Sequence, residues 1–227
     1  MSFLEGIKVI SLEQAVAAPA CSMRLVQAGA EVVKIERPEG DFARGYDTAV
    51  AGKSSYFVWL NAGKKSAVLD LRRSDQVALL SRLIVQSDVL IQNLKPGALA
   101  KLGLELDALH AEHPRLISMS ISGFAEDGPG HHRKAYDLLM QAESGLSAIT
   151  GSHHAAGRVG VSLVDIATGQ FAYEAILGAL IQRGQNERGA KLSVSLFDAV
   201  AQWLAVPYLL DSYGGAAPDR VALVQTV

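Results

Sequence analysis

The segment I-K-V-I-S-L-E-Q-A-V-A-A-P-A-C-S-M-R-L-V-Q-A-G-A-E-V-V-K-I, residues 7–35, decides the fold. Residues 7–12 form a short apolar run of the buried-strand kind. Pro19 opens a helix over 19–27, because the first helical turn needs no N–H from it. Gly29 ends that helix, as glycine accepts the left-handed conformation that closes one. Residues 31–35 make a second strand. Strand, helix and strand in such close succession are the unit of a parallel sheet.

Outward from this unit the alternation continues. Residues 36–45 are polar and carry Pro and Gly, which marks a loop. Trp59-Leu60-Asn61 leads into the basic turn Gly63-Lys64-Lys65, then a third strand at 66–71. An amphipathic helix spans 74–86, with Val77, Leu80 and Ile84 on one face. A strand at 88–92 ends at Asn93, and Lys95-Pro96-Gly97 breaks the chain. Short helices at 98–102 and 106–112 precede a strand at 116–121. A loop covers 123–134, and 136–145 is short and mixed. A helix at 166–183, a turn at 184–189, a strand at 191–195 and a helix at 196–209 follow. The pattern predicts an α/β fold, a Rossmann-like, mostly parallel sheet covered by helices. Ligands of such sheets bind beyond the carboxyl ends of the strands, where Gln14, Glu36, Arg37, Asn93 and Ser122 fall.

The chain has 227 residues, 49% of them hydrophobic, and a net charge of −2. That supports a large core and argues against nucleic acid as a partner. The single cysteine, Cys21, excludes an internal disulfide, suits a reducing compartment and reads as a small core residue. The N-terminus M-S-F-L-E-G-I-K lacks the apolar region of a signal peptide. The most apolar stretch, 196–210, is interrupted by Asp198, Gln202 and Pro207 and is too short to cross a bilayer. The expectation is a soluble cytoplasmic protein without a membrane partner.

No G-x-G-x-x-G follows the first strand. Q-A-V-A-A-P stands in its place, so no dinucleotide cofactor is expected, and Glu36 reads as a solvated loop residue. His131-His132 and His153-His154 lack metal-ligand spacing and read as loop histidines. Arg37, Lys64, Arg72, Lys95, Lys101 and Lys134 recur near the ligand edge, although spacing alone makes them a solvated surface. The stretch G-V-S-L-V-D-I-A-T-G, residues 160–169, puts Asp165 where an apolar segment becomes a helix. Locally Asp165 reads as the helix N-cap; the sharper alternative is a carboxylate nucleophile facing a ligand.

Several segments, taken in order, resemble one family. They are L-E-G-I-K-V-I at 4–10, A-P at 18–19, G-A-E-V-V-K-I-E-R-P-E-G-D at 29–41 and N-A-G-K-K-S-A-V-L-D-L at 61–71. D-V-L-I-Q-N-L-K-P-G at 88–97, P-R-L-I-S-M-S-I-S-G-F at 114–124, Y-D-L-L-M-Q-A at 136–142 and V-S-L-F-D-A at 194–199 complete the set. Together they resemble the class III (formyl-CoA transferase-like, CaiB/BaiF) CoA-transferases. The resemblance implies transfer of CoA from an acyl-CoA donor to a carboxylic acid, with coenzyme A as substrate and no permanently bound cofactor. It places the catalytic aspartate on Asp165, working through an aspartyl anhydride and an aspartyl-CoA thioester. It puts CoA against the backbone of Ala15, Val16 and Ala17 and places Arg37 near the adenine and 3′-phosphate. Leu69, Arg72, Asn93, Leu94, Lys101, Leu102 and Lys134 complete the path. Leu94 replaces an aromatic residue common in the family.

The family's racemase branch pairs the aspartate with a histidine, whose position here is Tyr136. Tyrosine is a poor base near neutrality, which favours transferase over racemase. A non-catalytic CoA-binding role is the remaining alternative. S-L-V-D-I-A-T-G and Y-D-L-L-M-Q-A-E-S-G-L look closest to members acting on short dicarboxylic acids. The family also implies an interlocked homodimer. Residues 1–227 correspond to the N-terminal part of its large domain; the small domain should begin about at G-G-A-A-P-D-R, 214–220, and it and the return segment are expected to be absent from this chain.

Overall fold

A computed structural model describes residues 2–215 and 220. Six parallel strands form one sheet: β1 (Lys8–Leu12), β2 (Glu31–Glu36), β3 (Lys65–Val68), β4 (Val89–Gln92), β5 (Ile117–Ser122) and, late in the chain, β8 (Lys191–Ser195). Their order is β3-β2-β1-β4-β5-β8, with Val9 opposite both Val32 and Val89. The chain builds outward from β1 in one direction and from β4 in the other. The crevice of a doubly wound sheet therefore opens beyond the carboxyl ends of β1 and β4.

Strand side chains alternate between two cores. Val9, Val32, Val89, Ile91, Ile117 and Met119 face one cluster. Ile10, Leu12, Ile35 and Leu90 face the other. Both faces are covered, which explains the continuous apolar runs of the central strands. Helices α1 (Ala17–Gln27) and α8 (Leu163–Asn186) cover the first face; α3 (Ser74–Val85) and α5 (Leu106–Glu112) cover the second. Fully buried Leu25, Ile91, Ile117 and Ile176 each contribute about 2 kcal/mol through removal from water.

Helices α1 and α8 lie against one another with small residues between them. A Cβ on Gly169 would stand 2.7 Å from the Ala17 carbonyl oxygen and 3.0 Å from the Cys21 nitrogen. Further along, the Arg24 guanidinium stacks on the Tyr173 ring. The two helices thus run in the same direction, with both N-termini at the crevice. At the other end of α8, buried Arg183 pairs with Asp88 at 2.9 Å and reaches the Arg115 carbonyl, which fixes the helix axis. Helix α8 is long and apolar enough to cross a membrane, but eight of its residues are buried in the protein core. Cys21 is fully buried, as expected of a core residue.

Several boundaries differ from the sequence reading. Helix α1 starts two residues earlier, so Pro19 sits inside its first turn. The stretch before the basic turn forms α2 (Ser55–Asn61), capped by the Ser54 hydroxyl. The mixed segment contains α6 (Asp137–Glu143). The last helix is two, α9 (Leu196–Trp203) and α10 (Ala205–Gly214), which meet at Leu204. Two short helices, α4 (Ala98–Lys101) and α7 (Leu146–Ile149), and a hairpin of β6 (Gly151–Ser152) and β7 (Ala155–Ala156) complete the fold. The family junction expected at 214–220 lies outside the described residues, except for Gly214, Gly215 and Arg220.

Candidate active site

The crevice begins with the turn from β1 into α1. Ala15 adopts φ +65°, a left-handed conformation that side chains other than glycine rarely take. Asn93, at the end of β4, accepts from the Gln14 N–H at 3.0 Å and donates to the Gln14 carbonyl at 2.8 Å. Asp41 accepts from the Ala15 N–H at 3.2 Å. The strained turn is therefore tied to two separate segments.

Beneath it lies a buried network of four charges. Glu13 accepts from Lys64 at 2.6 Å and from the hydroxyls of Ser11 and Ser22, each at 2.5 Å. Lys34 donates to Asp41 at 2.6 Å and to Asn61 at 3.1 Å. Lys34 and Glu13 are 3.9 Å apart. Burial opposes ionisation of Glu13, but Lys64 and Lys34 hold its carboxyl below the usual range. Such a network is tolerable inside a protein because each charge is both paired and hydrogen-bonded. Lys64 therefore belongs to the interior, a correction to its reading as solvated surface. Glu36 is likewise no loop residue. Burial pushes its carboxyl up, yet a two-pronged Arg44 contact at 2.8 and 2.9 Å, with Ser66 and the Asp41 N–H, holds it at about 2.

Asp165 differs from these acids. It is the third residue of α8, whereas Ser162 occupies the N-cap position without a side-chain cap bond, which corrects the capping reading. The capping role falls to Asp137, whose Oδ1 accepts the Val164 N–H at 2.7 Å and the Asp165 N–H at 3.4 Å. Gln141 steadies Asp137 at 2.7 Å and accepts from the Val159 N–H at 2.8 Å. Among the described residues no hydrogen bond reaches the Asp165 carboxylate. Burial, followed by the charge of Asp137, pushes it up to about 7. A carboxylate with that value at a helix N-terminus is a functional candidate on physical grounds.

Aromatic side chains stand around it. The Tyr56 hydroxyl is 3.0 Å from the Ser162 hydroxyl. The Tyr56 ring packs edge-on against Tyr46, with centroids 5.9 Å apart. Burial, followed by the Asp165 charge, pushes the Tyr46 phenol up to about 12. The sequence reading missed Tyr46, Tyr56 and Asp137. No periodicity marks them, because they come to the start of α8 from separate segments of the chain.

The residues expected to contact CoA separate into groups. Arg37, Leu69, Arg72, Leu94 and Leu102 line one cavity of about 380 Å³, together with Leu12 and Ile35. That is an ordinary size for a small-molecule site. Arg37 donates through Nε to the Gly40 carbonyl, and Arg72 forms a two-pronged pair with Asp70. Ala15, Val16 and Ala17 form the strained turn and the first residue of α1, and Asn93 braces that turn. Lys101 at the end of α4 and Lys134 in the loop before α6 are exposed and outside the cavity lining. Tyr136, the alternative base position, has an exposed ring. Among the described residues no histidine, cysteine, aspartate or glutamate cluster could hold a metal.

The sequence pattern of CoA-transferase family III matches residues 4–225. The chain belongs to CoA-transferase family III. Over 220 residues it is 37% identical to the acetyl-CoA:oxalate CoA-transferase of Acetobacter aceti, covering 96% of this chain and 57% of that one. It is 36% identical to the succinyl-CoA:glutarate CoA-transferase of Mus musculus, covering 88% of this chain and 46% of that one. The crystal structure of a CaiB/BaiF family protein from Brucella suis superimposes with a TM-score of 0.91 at 35% identity, covering 97% of this chain and 60% of that one. This family III chain thus spans about half the length of the curated relatives it matches. The family read from the ordered segments is the family found.

Proposed function

We propose that this chain supplies the nucleophile and the CoA-binding surface of an enzyme that moves CoA between carboxylic acids. The observation that carries the proposal is Asp165, a carboxylate at a helix N-terminus, free of hydrogen-bond partners among the described residues and pushed up to about 7. An oxygen of Asp165 attacks the carbonyl carbon of the acyl-CoA; the carbon–sulfur bond breaks and the thiolate leaves with its electron pair. The product is a mixed anhydride between Asp165 and the donor acid. The thiolate then attacks the Asp165 carbonyl carbon, giving an aspartyl-CoA thioester and free donor carboxylate. The acceptor carboxylate attacks that thioester, the thiolate leaves again, and its return to the acceptor's carbonyl carbon regenerates Asp165. Each intermediate retains the activation of the thioester, which a water molecule would dissipate.

The cavity beside the crevice suits the nucleotide end of CoA. Leu12, Ile35, Leu69, Leu94 and Leu102 give its lining apolar surface for the base, and Arg37 and Arg72 supply cations for the phosphates. A short dicarboxylic acid is the acceptor we favour, in keeping with the oxalate and glutarate transferases among the relatives. The working assembly in this reading is a cytoplasmic homodimer.

The test is to incubate the full-length protein with succinyl-CoA and quench with hydroxylamine. Peptide mass spectrometry should find a hydroxamate on Asp165. Transfer activity that survives Asp165→Ala would refute the assignment.

A further inference from the structure

We infer that Asp41 is a positioning residue for the coenzyme: it holds the turn at residues 14–16 in the left-handed shape that presents its backbone to the thioester end of CoA. The inference rests on the CoA-transferase reading above. Three observations lead to it. First, Ala15 sits at φ +65° without the freedom of glycine, so something outside the turn must keep it there. Second, Asp41 is 5% exposed and both its oxygens are engaged. Oδ1 accepts the N–H groups of Ala15 and Ala43, at 3.2 and 2.9 Å, while Oδ2 accepts from Lys34 at 2.6 Å. Such a side chain acts on a ligand through the backbone it holds. Third, the turn leads directly into Ala17, whose carbonyl abuts Gly169, one helical turn beyond Asp165. A change in the Ala15 conformation would therefore move backbone beside the nucleophile.

The arrangement explains why charge is buried here. Lys34 sits on β2 and points into the α1 side of the sheet, where it would be costly without a partner. Its ammonium fixes the rotamer of Asp41, and Asp41 in turn fixes Ala15. Asn93 holds the neighbouring Gln14 from the opposite strand, so the turn is gripped on both sides of the crevice.

The experiment is a rescue. CoA binding is measured by calorimetry on the full-length wild type, Asp41→Ala, Ala15→Gly and the double variant, with thermal melting as the check on folding. Asp41→Ala should weaken CoA on the order of tenfold, because the turn then leaves its strained conformation. Adding Ala15→Gly should restore affinity to within about threefold of wild type, since glycine adopts φ +65° unaided. A merely structural role for Asp41 predicts a lower melting temperature with no selective recovery of CoA binding by glycine at position 15. A folded Asp41→Ala protein that binds CoA like wild type, or a double variant that stays as weak as the single, overturns the inference. If Asp41→Ala does not fold, Ala15→Val leaves the ion network intact and opposes the left-handed turn alone; unchanged CoA affinity in that variant is equally contrary. A wild-type protein that does not bind CoA refutes the functional reading itself, which separates the two failures.

Discussion

Glu13 and Asp165 are two acids at the same end of one sheet, the first buried and the second half-buried, and their surroundings drive them in opposite directions. Glu13 accepts from one ammonium and two hydroxyls and is held below the usual carboxylate range, despite full burial. Asp165 has no donor among the described residues, faces the charge of Asp137 and is pushed up to about 7. The helix N-terminus near Asp165 favours its anion, but the amide groups that would solvate it are taken by Asp137. A saturated carboxylate holds structure, and an unsatisfied one retains the lone pairs that a nucleophile needs.

The comparison is easiest to break at Asp165. Asp165→Ala should lower CoA transfer by at least about a thousandfold, read in a coupled assay, while the protein stays folded. The structural member should behave conversely. Glu13→Ala leaves Lys64 charged and buried without its partner, and should cost about 3 kcal/mol of stability in urea unfolding. A loss of activity without a loss of stability in Glu13→Ala would erase the distinction between the two acids. Gly169→Ala tests the packing that brings Asp165 to α1. Its new methyl would meet the Ala17 carbonyl at 2.7 Å, so a loss of about 2 kcal/mol is expected by the same unfolding measurement.

A further effect concerns pH. The folded protein holds a proton on Asp165 up to about pH 7, whereas the unfolded chain releases it near 4. Between those values the native state binds more protons, so this residue's contribution to stability falls as pH rises. Asp165→Asn should therefore be more stable than wild type at pH 8, by about 2 kcal/mol after allowing for partial exposure, and equal to it near pH 4. Transfer by wild type should rise through about pH 7 to a plateau, as the nucleophile ionises.

The two acids also differ in how far the sequence revealed them. The strands were legible because β1, β2, β4 and β5 are buried on both faces and read as continuous apolar runs. Asp165 was legible as a helix-start acid, and its role as nucleophile is proposed from the family resemblance. Its place three residues into α8 was not legible, because the amides of Val164 and Asp165 are capped by Asp137, 27 and 28 residues earlier. The network of Glu13 was hidden for a similar reason. Lys64 lies 51 positions away and was read as a surface cation, and Lys34 interrupts an apolar strand with no local sign of its partners. Helix α2 escaped notice because it is short and has a single buried residue, Leu60, to anchor its pattern. Pairing across distant segments is a property of the fold, and no window along the chain contains it.

The ionisation of Asp165 is the measurement that bears most directly on the contrast. Carbon-13 labelling of aspartate carboxyl groups, assigned by comparison with Asp165→Asn, allows its titration to be followed by NMR in the folded protein. The account predicts a midpoint near pH 7 for Asp165. A midpoint near 4, the ordinary value for an exposed aspartate, would contradict it.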